Sequence, residues 1–330
     1  TLDATDVKKS FELYMQSDVT ELFAGVMRDL LVDGSNIEVA DGQTLRFKLR
    51  RPYPTFLRDM SSEVFGTPIA SSAYLNKVGL EQAEAQPKGT GPFKYTDRKR
   101  GAYIKAEAIP SHWRKTAEFQ RVTWYNIPDD GARLAAFLNR EMNLVELPAS
   151  WRPQAEKAAH KLFTNPNGTD VFINLVKYTP DSTGFDPNNP WENVKCRKAM
   201  NLAIDREGIA RAVFAGEAAP ATTFNGGPLA IGFDASMRPY PYDPTQARRL
   251  LQECTDELGV PRLSSTLYSW AMSGVPEMPQ VAEAAAAAWR AIGADVNVVS
   301  TDSERLSPLR TGRQLSGQMY IMRLPVVPDG

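Results

Sequence analysis

Residues 193–216, NVKCRKAMNLAIDREGIARAVFAG, carry the densest helical signal in the chain, and the rest is read outward from them. Met200, Ala203, Ile204, Ile209, Ala212 and Val213 recur at helical spacing. Asp205 interrupts the run where its carboxylate can accept from the free backbone N–H groups of a new first turn. The stretch therefore reads as two helices end to end.

C-terminal to it, Phe224-Asn225-Gly226-Gly227-Pro228 is a glycine–proline loop. Asp243 then caps a further helix, with Pro244 at its first position, Gln246 placed for a capping box, an apolar face of Ala247, Leu250, Leu251, Cys254 and Leu258, and Gly259 at its end. Next come a strand over residues 264–270, a helix over 279–292 and a strand over 295–299. Val281, Ala284, Ala285, Ala288, Trp289 and Ile292 share one face of that helix. This order implies a parallel sheet with a crossover helix, and residues 318–322 supply one more strand.

N-terminal to it, residues 170–175 (DVFINL) read as a buried strand and residues 132–140 as a short helix. Residues 3–15 form a helix capped by Asp3, with Val7, Phe11, Tyr14 and Met15 on one side. Residues 36–49 form a hairpin turning at Asp41-Gly42, its second strand alternating Leu45, Phe47 and Leu49 with Arg46 and Lys48. Gly89 and Gly91 lead into Pro92 and an alternating strand. A phosphate loop would instead lead into a helix, so the glycines are assigned to a tight turn.

Composition narrows the function classes. The chain has 330 residues, 42% of them hydrophobic, which is enough to bury a sizeable core in about two domains. Lys and Arg number 38 against 39 Asp and Glu, so the footprint that nucleic acid or an anionic membrane surface requires is absent. No apolar run approaches the ~20 residues of a membrane helix. The start, Thr1-Leu2-Asp3-Ala4-Thr5-Asp6, has neither the basic nor the apolar region of an export signal. Cys196 and Cys254 are too few for a disulfide scaffold or a zinc site. Cys254 lies on an apolar helical face, and a buried free thiol is expected there in preference to a bridge to Cys196.

Residues 193–206 resemble the "D-V-R-V-R-Q-A-L-N-Y-A-I-D-R" segment of family 5 extracellular solute-binding proteins, the dipeptide, oligopeptide and nickel receptors of bacterial ABC importers. Further matches follow in order. Residues 2–7 are similar to the family's "L-T-A-D-D-V", residues 50–57 to "K-K-P-Y-P-P-F-L", and residues 88–95 to "G-T-G-P-Y-K". Residues 109–113 are similar to "N-P-x-Y-W", residues 142–146 stand where the family has "E-I-D-I-V-E", and Tyr242-Asp243-Pro244 begins its "Y-D-P-E-K-A-K-A-L-L-x-E-A-G".

The resemblance implies an α/β, periplasmic-binding-protein-like type II (cluster C) bilobal fold with mixed sheets, incomplete here. It assigns residues 1–90 to a small subdomain of the first lobe, 91–228 to part of the large first lobe and 229–330 to part of the second. It implies capture of a peptide-like or other small polar solute by lobe closure and delivery to ABC permease subunits, with no cofactor. The protein would be a monomer, periplasmic or extracellular, held at the membrane only by a lipid anchor beyond these residues. The alternative is a ligand-sensing regulatory module on the same fold, fused to a signalling or DNA-binding domain.

Catalytic machinery is not visible. His112 and His160 lack metal-ligand partners at helical or loop spacing; His112 reads as a surface or packing residue and His160 as a solvated helical one. Asp129-Asp130 and Asp302 with Glu304 read as turn and cap residues, not as a general acid and base. From the resemblance, the cleft is bordered by Phe172 and Asn174 at a strand, Phe224 and Asn225 in a loop, Trp270, and Arg323 near the end of the last strand. Phe172, Phe224 and Trp270 serve a core as readily as a ligand, and an Asn at positions 174 or 225 can equally satisfy backbone groups. Peptide receptors of the family carry "W-x-x-D-Y-x-D-P" here, whose first Asp pairs with a peptide ammonium. Val326 falls at that Asp and Arg323 at the aromatic, so the expected ligand is neutral or anionic and not held by a free amino terminus.

Overall fold

The Asp3 carboxylate accepts from the N–H groups of Thr5 and Asp6, while Asp6 accepts from the N–H of Asp3. This reciprocal box starts α1 (Ala4–Tyr14), with Asp3 the cap expected from sequence and the return bond from Asp6 not foreseen there. The computed structural model describes residues 2–16, 22–31, 33–61, 67–158, 160–163, 168–223 and 234–325. Chain contacts divide it into two units, Thr1–Pro128 and Asp129–Gly330, each described here by itself. The sequence reading placed no boundary at residue 128.

In the first unit, α2 (Leu22–Leu31) follows α1, and β1 (Ile37–Val39) pairs antiparallel with β2 (Leu45–Phe47) in the expected hairpin. Short helices α3 (Phe56–Asp59), α4 (Ser72–Val78) and α5 (Leu80–Ala85) lead to an antiparallel sheet. That sheet has the order β3 (Phe93–Lys99), β4 (Tyr103–Ala108), β5 (Arg121–Tyr125). Phe11, Met27, Leu30, Leu31, Ile37 and Phe56 form the core, and the Phe47 ring bridges Phe11 at 4.9 Å and Phe56 at 5.1 Å. The hydroxyl and N–H of Ser72 both donate to the buried Asp6 carboxylate at 2.7 Å, which fastens α4 to α1. Neither Gly89 nor Gly91 takes a positive φ, and the turn is tied instead through Thr90, whose carbonyl meets His112 Nε2 at 2.7 Å.

The second unit begins with α6 (Asp130–Leu138), capped by Asp129, and α7 (Arg152–Lys157). After β6 (Thr169–Leu175) come α8 (Val194–Leu202) and α9 (Arg206–Val213), the two consecutive helices expected there. Asp205 caps the second by accepting from Gly208 N at 2.8 Å. A Cβ at position 208 would stand 2.3 Å from Asp205 Oδ2, so the cap depends on glycine. Then follow α10 (Pro244–Leu258), β7 (Ser264–Ser269), α11 (Met278–Ala291), β8 (Asp295–Ser300), α12 (Ser303–Thr311) and β9 (Met319–Pro325). Gln246 N donates to Asp243 at 2.8 Å, the first half of the capping box expected for α10.

The sheet runs β6-β9-β7-β8. β7 is parallel to β8 across the α11 crossover, as the sequence order required, and parallel to β9, while β6 is antiparallel to β9. One face carries Val171, Ile173, Leu175, Leu267, Val296, Met319 and Ile321 into a core shared with Met200, Leu251, Met278 and Trp289. The indole of Trp289 donates to the Met200 carbonyl at 2.8 Å, so the largest side chain of that core keeps its one polar atom satisfied. The opposite face holds a smaller cluster of Trp270, Leu306 and Leu315 with Tyr268 and Tyr320 against it.

Two expectations are corrected. Cys254 is not a free thiol: it is bonded to Cys196, joining α10 to α8 with the Cα atoms 5.5 Å apart. Periodicity placed both cysteines correctly on buried faces, but it reads each helix alone and carries no information on which faces meet. His160 is not helical; it stands beyond α7 with its ring 4.1 Å from that of Phe137 on α6.

Candidate functional site

Four of the six residues assigned to a cleft lie among those described; Phe224 and Asn225, like Val326, lie outside them. Residues paired across an antiparallel ladder share a face, and neighbours along a strand alternate. Phe172 pairs with Met322 and Asn174 with Tyr320, whereas Arg323 pairs with Val171. Phe172 and Asn174 therefore occupy one face of the sheet and Arg323 the other. Periodicity within each strand was legible, but the register that sets them apart was not.

On the Asn174 face, the Tyr320 ring lies 6.4 Å from that of Trp270, and the Arg310 guanidinium carbon sits 5.4 Å above it. Burial pushes the Tyr320 hydroxyl above its ordinary pKa, with the Arg310 charge and hydrogen bond working the other way. Trp270 is 7% exposed and packed with Leu306 and Leu315, so its ring serves the core. Its Nε1 is buried without a hydrogen-bond partner.

On the other face, Arg323 Nε is likewise buried without a partner. It stands against the turn that follows β7, in which Val275 N donates to the Met272 carbonyl at 3.0 Å. Gly274, at φ +88°, gives that turn its left-handed step, and a Cβ there would lie 3.8 Å from both Nε and Cζ of Arg323. The Glu146 carboxylate holds the same turn, accepting from Ser273 Oγ at 2.9 Å and from the N–H of Gly274. A second carboxylate works in the reverse sense: Glu277, 5% exposed, accepts from Ala149 N at 2.7 Å. With the Arg152–Glu217 ion pair, these contacts fasten residues 129–163 to the sheet body, and none of the hydrophobic clusters among the described residues includes a side chain from that segment.

Sequence reasoning missed Tyr320, Arg310, Glu146 and Gly274. Only Ser273-Gly274 left a local sign, as a turn dipeptide. Of the four acids it set aside, Asp129 and Asp302 are caps, accepting from Ala132 N and Arg305 N, and Asp130 and Glu304 lie in the first turns of the same helices. Among the described residues no three His, Cys, Asp or Glu side chains converge on a metal site, and no helix is long and apolar enough to cross a membrane. Arg323 Nε and Trp270 Nε1 are thus unpartnered donors on opposite faces of the sheet and do not converge on one point.

Residues 1–329 match the family described as bacterial extracellular solute-binding proteins, family 5 Middle. The glutathione-binding protein of Salmonella typhimurium is 28% identical over 236 residues, covering 70% of this chain and 43% of that protein. This chain therefore spans less than half the length of the curated relatives it matches. Among solved structures, the periplasmic binding protein DppA of Helicobacter pylori, in complex with the peptide STSA, superposes with a TM-score of 0.75 at 22% identity, over 98% of this chain and 61% of that one. The dipeptide-binding protein of a Pseudoalteromonas species, in complex with Met-Leu, gives 0.71 at 18%, over 99% and 64%. These likenesses show the fold, the mixed α/β architecture of type II periplasmic binding proteins. The chain belongs to the bacterial extracellular solute-binding proteins, family 5.

Proposed function

We propose that this chain is the central part of the solute-binding component of a bacterial ABC importer, which captures a small peptide-like solute and passes it unchanged to membrane permease subunits. The family match over residues 1–329 carries the reading. Bridged Cys196 and Cys254 support an exported protein, because disulfides persist in oxidising compartments and not in the cytosol. The protein acts in the periplasm or outside the cell, as a monomer, held near its permease by a lipid anchor. Residues 1–90 and 91–228 contribute to its first lobe and residues 229–330 to its second.

The candidate solutes are those of its relatives, glutathione and short peptides, with the ligand held otherwise than by a free amino terminus. Calorimetry on the full-length protein with glutathione and with Met-Leu tests this, coupled to chromatography of the recovered solute. The expected result is saturable one-to-one binding of at least one of them and its recovery intact. Chemical conversion of the solute, or no binding of either, overturns the proposal.

A further inference from the structure

The turn that joins β3 to β4 carries three consecutive cations, Arg98, Lys99 and Arg100, all of them exposed. None forms an ion pair or a side-chain hydrogen bond among the described residues. The adjacent carboxylate, Asp97, is already engaged: it accepts from the Tyr103 hydroxyl at 3.0 Å and lies 3.5 Å from Lys105 Nζ. Like charges on neighbouring residues repel, so the tip gains nothing from them by itself. The near-equal totals of 38 basic and 39 acidic residues average over this local excess.

The backbone that carries these cations is fixed. Ala102 N donates to the Lys99 carbonyl at 2.9 Å, and Gly101 takes φ +74°. Asn126 ties the turn to the end of β5, its N–H donating to Ala102 O at 2.8 Å and its Nδ2 to Gly101 O at 3.2 Å. Across the sheet, the register aligns Arg98 with Ile104 and Trp124 on one face and Lys99 with Tyr103 and Tyr125 on the other. Ile104, Trp124 and Tyr125 are 47%, 54% and 51% exposed. Aromatic rings and arginines are the residues enriched where proteins dock on one another. Cations along β3 alone would serve to keep its free edge from pairing, but Arg100 stands past the last rung, where there is no ladder to guard. A segment that enters a bilayer leads with its apolar side chains, whereas here a cation lies beyond the Trp124 and Tyr125 rungs.

We propose that this hairpin tip is where the protein docks on its importer, with Arg98, Lys99 and Arg100 meeting an acidic face of the permease subunits and Trp124 and Tyr125 excluding water around the contact. The inference rests on the importer reading above and names the surface that meets the permease.

Docking is measured as binding of the full-length protein to the permease complex of the same importer, held in phosphatidylcholine nanodiscs, at about 50 and about 300 mM salt. The native protein is expected to dock about 10-fold more weakly at the higher salt. Arg98→Gln, Lys99→Gln and Arg100→Gln combined are expected to weaken docking about 30-fold at the lower salt and to remove the salt dependence. Arg98→Lys with Arg100→Lys, which keeps the charge, is expected to dock within about threefold of the native protein. Trp124→Ala is expected to weaken docking while the salt dependence stays. Melting curves that match the native one show that the variants fold, and their calorimetric titrations with glutathione and Met-Leu are expected to be native. If the triple glutamine variant docks as the native protein does, or salt weakens both alike, the assignment fails while the solute-binding reading stands. If vesicles of phosphatidylcholine and phosphatidylglycerol without permease capture the native protein and not the triple variant, the tip reads lipid phosphate and the assignment fails. If the native protein does not dock on the permease at all, the assignment falls together with the importer reading.

Discussion

Asp6 shows how one side chain can hold two helices. It is 6% exposed, and burial by itself would raise its pKa; the Ser72 hydroxyl and N–H together with the Asp3 N–H outweigh that and hold it below the ordinary carboxylate value. A carboxylate accepts at every lone pair, whereas an amide turns one donor toward donors that are already there. Asp6→Asn is therefore expected to destabilise the first unit by about 2 kcal/mol at pH 7, in the range for hydrogen bonds to a charged group. The sign of the pH effect follows from the depressed native pKa. Stability from the ionised Asp6 is complete above the unfolded-state pKa and is lost as pH falls through the native one. Denaturation curves of the two proteins should run parallel above about pH 5 and converge below about pH 4. A gap that persists at low pH would mean that packing, not ionisation, explains the loss.

Between elements, the disulfide outweighs the charges beside it. Cys196 and Cys254 close a loop of 58 residues between α8 and α10, and constraint of the unfolded chain on that scale contributes about 4 kcal/mol. Lys195 reaches Glu253 and Glu257 across the same pair of helices at 3.0 and 2.6 Å, but exposed pairs of this kind contribute about 0–1 kcal/mol. Replacing both cysteines by alanine should therefore cost several times more than Lys195→Ala in denaturant unfolding; equal costs would refute the ordering. The attachment of residues 129–163 is of the opposite kind. It relies on Glu146, Glu277 and Arg152 without a shared apolar cluster, so its opening free energy should lie well below that of the sheet body. Glu146→Ala combined with Glu277→Ala should speed amide exchange in α6 and α7 while leaving β7 and β9 protected. Uniformly faster exchange across the sheet would show that the segment is part of the body after all.

At the scale of the whole molecule, what was legible in the sequence was local and what was not was pairing. Asp3, Asp205 and Asp243 each announced a helix because a cap acts within three residues, and every one is a cap in the structure. The Cys196–Cys254 bridge, the opposite facing of Asn174 and Arg323, and the hold of Glu146 on a turn 127 residues away depend on contacts that no local period encodes. The same distinction governs stability. Phe11, Met27 and Phe56 belong to one core in the first unit, Trp289, Met200 and Leu251 to another in the second, and no hydrophobic cluster among the described residues spans residue 128. Units with separate cores are expected to melt as separate cooperative transitions. The two substitutions already argued become each other's control in scanning calorimetry. Asp6→Asn should lower one transition by roughly 8 °C, and the double cysteine replacement should lower the other by roughly 12 °C, given the shift per kcal/mol for units of these sizes. If both changes instead move a single shared transition, the two cores are coupled into one folding unit, and the division at residue 128 describes contacts without describing cooperativity.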